Sequence, residues 1–351
     1  MNTAQVLDRL PSFLIPFVTL SYPVDRPAVP DSFNDSSYYA SGLLDFCAMV
    51  SMIAVMAVLR DAFRLGVFEP LAKWYLTRQL KLNKAKAKKH ANGNGKANGA
   101  TNGHAVHDHP PAITKKEAKQ LKRSVIRFAE QGWPVVYYSL QWCFGLYVHR
   151  NLPTKVLDPV DVWTNYPHIP LAGPIKLYYL TQNAFYMHQI LVLNAEARRK
   201  DHWQMMTHHV ITVVLMLGSY FYNFTRIGVL IMMLMDLCDI FLPLAKMWRY
   251  LGFSKACDAT FVMFMGSWLV TRHFLFLLAI KSSYNDAPRI IPEVWEPERG
   301  FFMTKEVLAT FNAMLVSLQI IQLIWFWMVC RVAWRVVSGQ GAEDSRSDDE
   351  M

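Results

Sequence analysis

Seven stretches of the chain, 43–59, 133–149, 175–193, 203–222, 227–245, 257–280 and 307–329, are apolar over close to the length of a membrane-crossing helix. A bilayer core about 30 Å thick calls for about 20 mostly apolar residues per helix. The first stretch carries one charge, Asp45, near its start, whereas the second, third and sixth are interrupted by His, Gln, Asn or Arg. Lipid cannot solvate single polar groups, so these are expected to face protein or a polar cavity. The pattern predicts an all-α integral membrane protein with about seven transmembrane helices.

The polar stretches between them set the expected domain organisation. An N-terminal segment (1–42) precedes the first helix (43–59), and a basic linker (60–124) follows it. The other six helices form one membrane domain (125–335), and an acidic tail (336–351) ends the chain. Within the linker, residues 81–111 are of low complexity, and their Lys, Gly and Asn cannot form a core. A flexible segment with some attraction to anionic lipid is expected there. Nucleic-acid binding is not, because no motif or interleaved aromatics accompany the charge. His104, His107 and His109 in this tract are not expected to hold a metal.

Composition narrows the class. The chain is 53% hydrophobic and only 18% charged. Globular proteins average about 25% charged residues, so an ordinary soluble enzyme is excluded. The five Cys are scattered without CxxC or zinc spacing and read as reduced packing residues. Lys and Arg give the orientation: the linker 60–124 alone holds 15, and alternate polar segments hold 24 against 9. This predicts a lumenal N-terminus and a cytosolic C-terminus. Residues 1–22 lack a positive n-region and a continuous apolar core, so the first helix is expected to act as the insertion signal. Asn34-Asp35-Ser36 is a sequon on the expected lumenal side, which makes Asn34 a glycosylation candidate. Asn223-Phe224-Thr225 also matches, but too near the membrane.

The candidate chemistry lies in residues 201–246. His208 and His209 begin five residues past Trp203, about 8 Å down the fourth helix at 1.5 Å per residue. Asp236 and Asp239, three apart, share a face of the fifth helix, which runs back toward the cytosol. His188 on the third helix reaches a similar depth, and Arg272 on the sixth is a candidate counter-ion for the Asp pair. Ionisable groups inside a membrane normally line a polar cavity and pair with one another. A carboxylate bonded to one imidazole nitrogen fixes the tautomer and raises the reactivity of the other, a combination suited to acyl transfer. No metal is expected: HH is not HExxH, and adjacent helix residues point about 100° apart.

From Trp163 to about Trp334 the chain resembles the TLC domain of ceramide synthases, the longevity-assurance family. The resemblance rests on WTNYPHIPL (163–171), PIKLYYLTQNAFY (174–186), THHVIT (207–212), SYFYNFTRIG (219–228) and MDLCDIFLPLAK (235–246). The double His followed about 28 residues later by DxxD is the family's signature, and several other TLC-domain proteins lack it. Met235-Asp236 and FLPLAK resemble the fungal branch. Many animal members have His where Met235 stands, so that extra His does not carry over, and no homeodomain-like segment is present.

The resemblance implies an endoplasmic-reticulum enzyme with six helices (2–7) curled around a central tunnel. It would N-acylate a sphingoid base with a fatty acyl-CoA, yielding ceramide and CoA. By position, His208, His209, Asp236 and Asp239 fall on the family's His and Asp pairs. Arg272 matches an Arg on the next helix, and His188, Tyr220 and Asn223 are supporting candidates. No cofactor is expected beyond acyl-CoA as co-substrate. Its phosphates are expected near Arg198, Arg199, Lys200, Lys246 and Lys255, with membrane lipid and an oligomeric or accessory subunit as further partners. The expected mechanism passes through an acyl-histidine on either His, with direct transfer as its alternative. A non-catalytic lipid-binding protein and a proton-coupled lipid transporter are the other readings. Ser345 and Ser347 in the tail each precede an acidic residue at +3, the pattern of acidophilic-kinase sites.

Overall fold

In a computed structural model, residues 10–94, 113–195 and 201–338 are described. The chain divides into two compact units. Met1–Val58, Tyr138–Asp239 and Met263–Met351 form the first, and Leu59–Tyr137 with Ile240–Val262 form the second. Nearly all regular structure is helical: α1 (Asp45–Phe63), α2 (Glu69–Asn94), α3 (Lys115–Arg150), α4 (Gly173–Ala195), α5 (His202–Phe221), α6 (Thr225–Leu251), α7 (Ser254–Trp268), α8 (Phe276–Asn285) and α9 (Lys305–Val337). π-helical stretches at Arg64–Phe68 and Leu269–Leu275 join α1 to α2 and α7 to α8 without a break.

Among the described residues, four continuous helices are long and apolar enough to cross a membrane: Asp45–Ala87, Thr225–Leu251, Ser254–Ile290 and Lys305–Arg335. The other three expected spans fall on α3, α4 and α5, which form helices but carry more polar residues. On α4 the reason is visible: Lys176, Gln182, Asn183 and His188 are all buried in protein. Side chains that lower the apolar character of that segment thus need no lipid to accept them.

In the first unit, the N-terminal segment is stitched to the membrane helices. β1 (Pro23–Val24), β2 (Tyr38–Tyr39) and β3 (Leu171–Ala172) make a small antiparallel sheet, with Tyr38 opposite Ala172. Beneath it, Lys176 Nζ on α4 lies 2.7 Å from Asp45 Oδ1 on α1 and donates to the carbonyls of Ser21 and Ala40. The other Asp45 oxygen accepts the Tyr220 hydroxyl at 2.7 Å and the Gly42 amide at 3.0 Å. Both charges are fully buried. A second buried cation, Arg226, donates to the carbonyls of Asp161 and Thr164 and pairs with Asp31. Asn223 takes the left-handed backbone that α5 needs to turn into α6 (φ 62), a conformation Asn tolerates, and its side-chain amide donates to Gly300 O at 2.9 Å.

The second unit corrects the expected linker. Residues 60–94 are helical, and helix resumes at Lys115. Residues 71–91 are rich in Leu, Lys and Ala, strong helix formers, and this outweighs the low complexity of the tract. Lys84 on α2 pairs with Glu117 at the start of α3 at 2.6 Å. Glu117 also closes a capping box with Thr114: its carboxylate accepts from the Thr114 backbone N–H at 2.7 Å, and the Thr114 hydroxyl accepts from Glu117 N. The Lys84 hydrogen bond, with those from Thr114, holds the Glu117 carboxyl down to about 2. Ala72, Val125, Phe128 and Met247 form the core of this unit.

Candidate active site

The site is assembled in the first unit from five elements. α5 carries His208 and His209, α6 carries Asp236 and Asp239, and α4 contributes Gln182 and Tyr186. The π-helical stretch Leu269–Leu275 supplies Arg272, and α9 supplies Gln322 and Trp325. Such π stretches, with one extra residue per turn, recur at functional sites because they displace a side chain from the regular helical register.

These residues close one end of an apolar cavity. Its polar lining at that end is His208, Asp236, Arg272, Tyr186 and Gln322. Toward the other end the walls are mostly apolar, among them Leu215, Ile231, Phe276, Leu315 and Phe311, with Ser219 and Ser283 as the polar members. The two members of each sequence pair therefore part company. His208 and Asp236 line the cavity, while His209 and Asp239 are not among the described residues that do.

Each side chain is held by specific neighbours. The His208 ring meets Trp325 edge-on at 5.0 Å, and His209 packs against Tyr186 at 5.7 Å. Asp236 is buried, and Gln182 Nε2 donates to its Oδ2. The remaining Asp236 oxygen, Oδ1, and the Nδ1 atoms of His208 and His209 are buried without a hydrogen-bond partner among the described residues. Asp239 instead accepts from Arg272 Nη2 at 2.7 Å, and the same nitrogen donates to Met235 O at 3.0 Å. The Arg272 guanidinium also lies over the Trp268 ring, 4.3 Å from its centroid, an arrangement that favours a desolvated cation. Arg272 is thus the partner of Asp239 in particular.

Other candidates fall elsewhere. His188 is buried on α4 but is not among the cavity-lining residues described. Tyr220 and Asn223 are tied to Asp45 and to Gly300, outside the cavity lining. Burial of Asn223 rules out the second sequon, while Asn34 is exposed. Lys246, half-buried, and Lys255, exposed, belong to the second unit. Arg198, Arg199, Lys200, Ser345, Ser347 and the three His of the linker lie outside the described residues. Gln182, Tyr186, Gln322 and Trp325 were not singled out from the sequence. A Gln inside an apolar span was the available signal for Gln182 and Gln322. Tyr186 closes the motif PIKLYYLTQNAFY, whereas nothing local marked Trp325.

Together these features describe a helical membrane protein whose ionisable groups gather at one end of an apolar cavity. Residues 127–331, more than half of the chain, match the TLC domain (TRAM_LAG1_CLN8), and the protein belongs to the TLC-domain family. It is 39% identical over 258 residues to sphingosine N-acyltransferase-like protein ALT7 of Alternaria alternata, covering 65% of this chain and 60% of that protein. It is 41% identical over 230 residues to sphingosine N-acyltransferase lag1 of Schizosaccharomyces pombe, covering 65% of this chain and 59% of that one. With ceramide synthase FUM18 of Gibberella moniliformis it shares 38% identity over 255 residues, 65% of this chain and 60% of the relative. The chain thus spans about 60% of the length of these curated relatives.

Proposed function

We propose that the protein is a ceramide synthase, transferring a fatty acyl group from CoA to the amine of sphinganine or phytosphinganine. The observation that carries this reading is that His208, Asp236 and Arg272 share one end of an apolar cavity. A nucleophile, a carboxylate and a cation are thereby placed where a lipid chain can reach them. The names of the fungal relatives support the same chemistry.

The reaction runs in two halves. The His208 imidazole attacks the thioester carbonyl, the C–S bond breaks and CoA leaves as the thiolate. Asp236 balances the positive charge that develops on the ring, as a fixed negative group in a dry site does most effectively. The neutral amine of the sphingoid base then attacks the acyl carbon. The bond to imidazole breaks, and the amine proton passes to His209 or Asp239 and on to solvent. Pairing of Asp239 with Arg272 favours His209 as acceptor. Direct transfer, with a His as general base only, is the competing route.

In the membrane, seven helices span, and the last six surround a tunnel that includes the cavity. The protein resides in the endoplasmic reticulum with its N-terminus lumenal and its C-terminus cytosolic. Acyl-CoA docks from the cytosol, with its phosphates near Arg198, Arg199, Lys200, Lys246 and Lys255, and no further cofactor takes part. Asn34 carries a glycan, Ser345 and Ser347 accept phosphate, and a second copy or an accessory subunit completes the enzyme.

The test is an assay of the purified full-length protein against a panel of acyl-CoAs and sphingoid bases, with products read by mass spectrometry. Ceramide that is lost in His208→Ala is expected. No ceramide from any pair of substrates would overturn the proposal.

A further inference from the structure

The cavity has a polar end and an aromatic end. Its lining runs on α5 from His208 to Ser219, along α6 from Asp236 back to Phe224 just before that helix begins, and on α9 from Gln322 back to Leu308. At 1.5 Å per residue these stretches are about 16, 18 and 21 Å long. All three begin at the polar end and finish beside Trp163, Phe224 and Phe311.

Those three rings are fixed by their surroundings. Trp163 Nε1 donates to Ser282 Oγ at 2.9 Å. The Trp163 ring meets Phe224 edge-on at 6.3 Å, and Phe224 meets Phe311 edge-on at 5.4 Å. Tyr166 stacks on Phe224 at 5.2 Å, with its hydroxyl donating to Tyr222 O at 2.9 Å and accepting from Phe302 N at 3.0 Å. Gly218 on α5 makes room for Phe311, since a Cβ there would stand 2.9 Å from Phe311 Cζ. Close-packed rings of this kind do not yield to an extra methylene without forcing neighbours off their rotamers.

We propose that Trp163, Phe224 and Phe311 form a floor that measures the acyl chain, an inference that rests on the acyltransferase reading above. A carbon–carbon bond of about 1.5 Å at a tetrahedral angle advances an extended chain by about 1.25 Å. A cavity about 16–21 Å deep therefore holds about 13–17 such bonds. With the carbonyl carbon at His208, the terminal methyl of a chain of about 14–18 carbons rests on the floor. The substrate class is long-chain acyl-CoA, and very-long-chain acyl-CoA is selected against.

The experiment is a competition assay with the purified full-length protein, one sphingoid base and an equimolar mixture of saturated acyl-CoAs from about 12 to 26 carbons. Wild type should favour chains within about 14–18 carbons. Phe311→Ala should lengthen the favoured chain by at least about two carbons and raise the ratio of 22- to 16-carbon product about tenfold, the scale on which hydrophobic pockets resolve added methylenes. Ile231→Phe, which narrows the cavity midway along the α6 lining, should shift preference toward chains shorter than those wild type favours. A wild-type preference for about 24–26 carbons, or an unchanged profile in both variants, would overturn the ruler. Thermal stabilisation by free fatty acids of graded length reads the same preference without chemistry, and Phe224→Leu replaces any variant that fails to fold. Graded stabilisation without product from any acyl-CoA would sink the acyltransferase reading and leave the ruler standing. Product formation with no length dependence would do the reverse.

Discussion

Arg272 Nη2 lies 2.7 Å from Asp239 Oδ2, whereas Asp236, one turn earlier on α6, forms no ion pair among the described residues and holds Gln182 instead. Two carboxylates that look equivalent along the chain thus have different environments. Asp239 is tied to a cation, and Asp236 is presented to the cavity.

This difference separates the two Asp→Asn substitutions. Asp239→Asn leaves the buried Arg272 uncompensated and should lower stability by about 1–3 kcal/mol, below the range for pairs sealed on both sides because Asp239 is partly exposed. Asp236→Asn should preserve the fold, since Gln182 can still bond the amide oxygen, while most activity is lost. Thermal unfolding of the two purified variants beside their turnover checks both halves. Equal stability loss in the two would contradict the division of roles.

The identity of the nucleophile is open to a direct measurement. Intact-mass analysis after incubation with acyl-CoA alone should show one added acyl group in wild type and none in His208→Ala. His209→Ala should still carry the adduct but release it slowly to the amine. An adduct that persists in His208→Ala and vanishes in His209→Ala would reverse the assignment. Turnover without any adduct would favour direct transfer.

The Asp45–Lys176 pair predicts a strong asymmetry between single and double substitution. Lys176→Met abandons a fully buried carboxylate and should cost about 3–5 kcal/mol. Asp45→Asn combined with Lys176→Met should recover much of that loss, because neither charge is then left unpaired. Melting temperatures of wild type, Asp45→Asn, Lys176→Met and the double variant in one detergent decide it. Additive losses would show that the two residues act independently.

His168, in the segment between α3 and α4, is lowered to about 4, first by burial and then by the neighbouring Arg226 guanidinium. In the unfolded chain the imidazole titrates near its ordinary value of about 6.5. Between those values the unfolded state binds the proton and the native state does not, so stability should fall as pH drops from about 6.5 toward 4. His168→Asn should flatten this part of the profile. An unchanged slope in unfolding experiments across that window would remove His168 as its source.

Topology can be read with single Cys probes. Positions 96 and 345 should label from the cytosol, and Asp158 and Asn285 from the lumen. Asn34→Gln should remove a glycan-dependent shift in gel mobility. Cytosolic labelling at Asp158 would invert the orientation.

Much of the fold was legible because burial in a membrane imposes long apolar runs, and each of the seven runs does fall on a helix. Less was legible at 81–94, the part of the low-complexity tract 81–111 that proves helical, because its Gly, Asn and Lys suggested a flexible segment. Ala, Leu and Lys propensity was the local signal for helix there, and the Thr114–Glu117 cap was the signal for the start of α3. At the site, the residue types and their two helices were readable from HH and DxxD. Roles within each pair were not, because a polar residue in a span declares that it avoids lipid without declaring which neighbour it meets.

By itself the sequence determined the helical segments, the resemblance to a family and the short list of ionisable groups in the membrane interior, since all three depend on residue type and local spacing. Only the tertiary structure decided that His208 and Asp236 face the cavity, that Arg272 belongs to Asp239, and that Tyr220 serves Asp45. It also decided that Trp163, Phe224 and Phe311 meet at the far end of the cavity. The physical reason is that an apolar helix face is satisfied equally by lipid and by protein. Rotation of each helix about its axis is therefore set by long-range contacts such as Lys176 with Asp45, which no local pattern encodes.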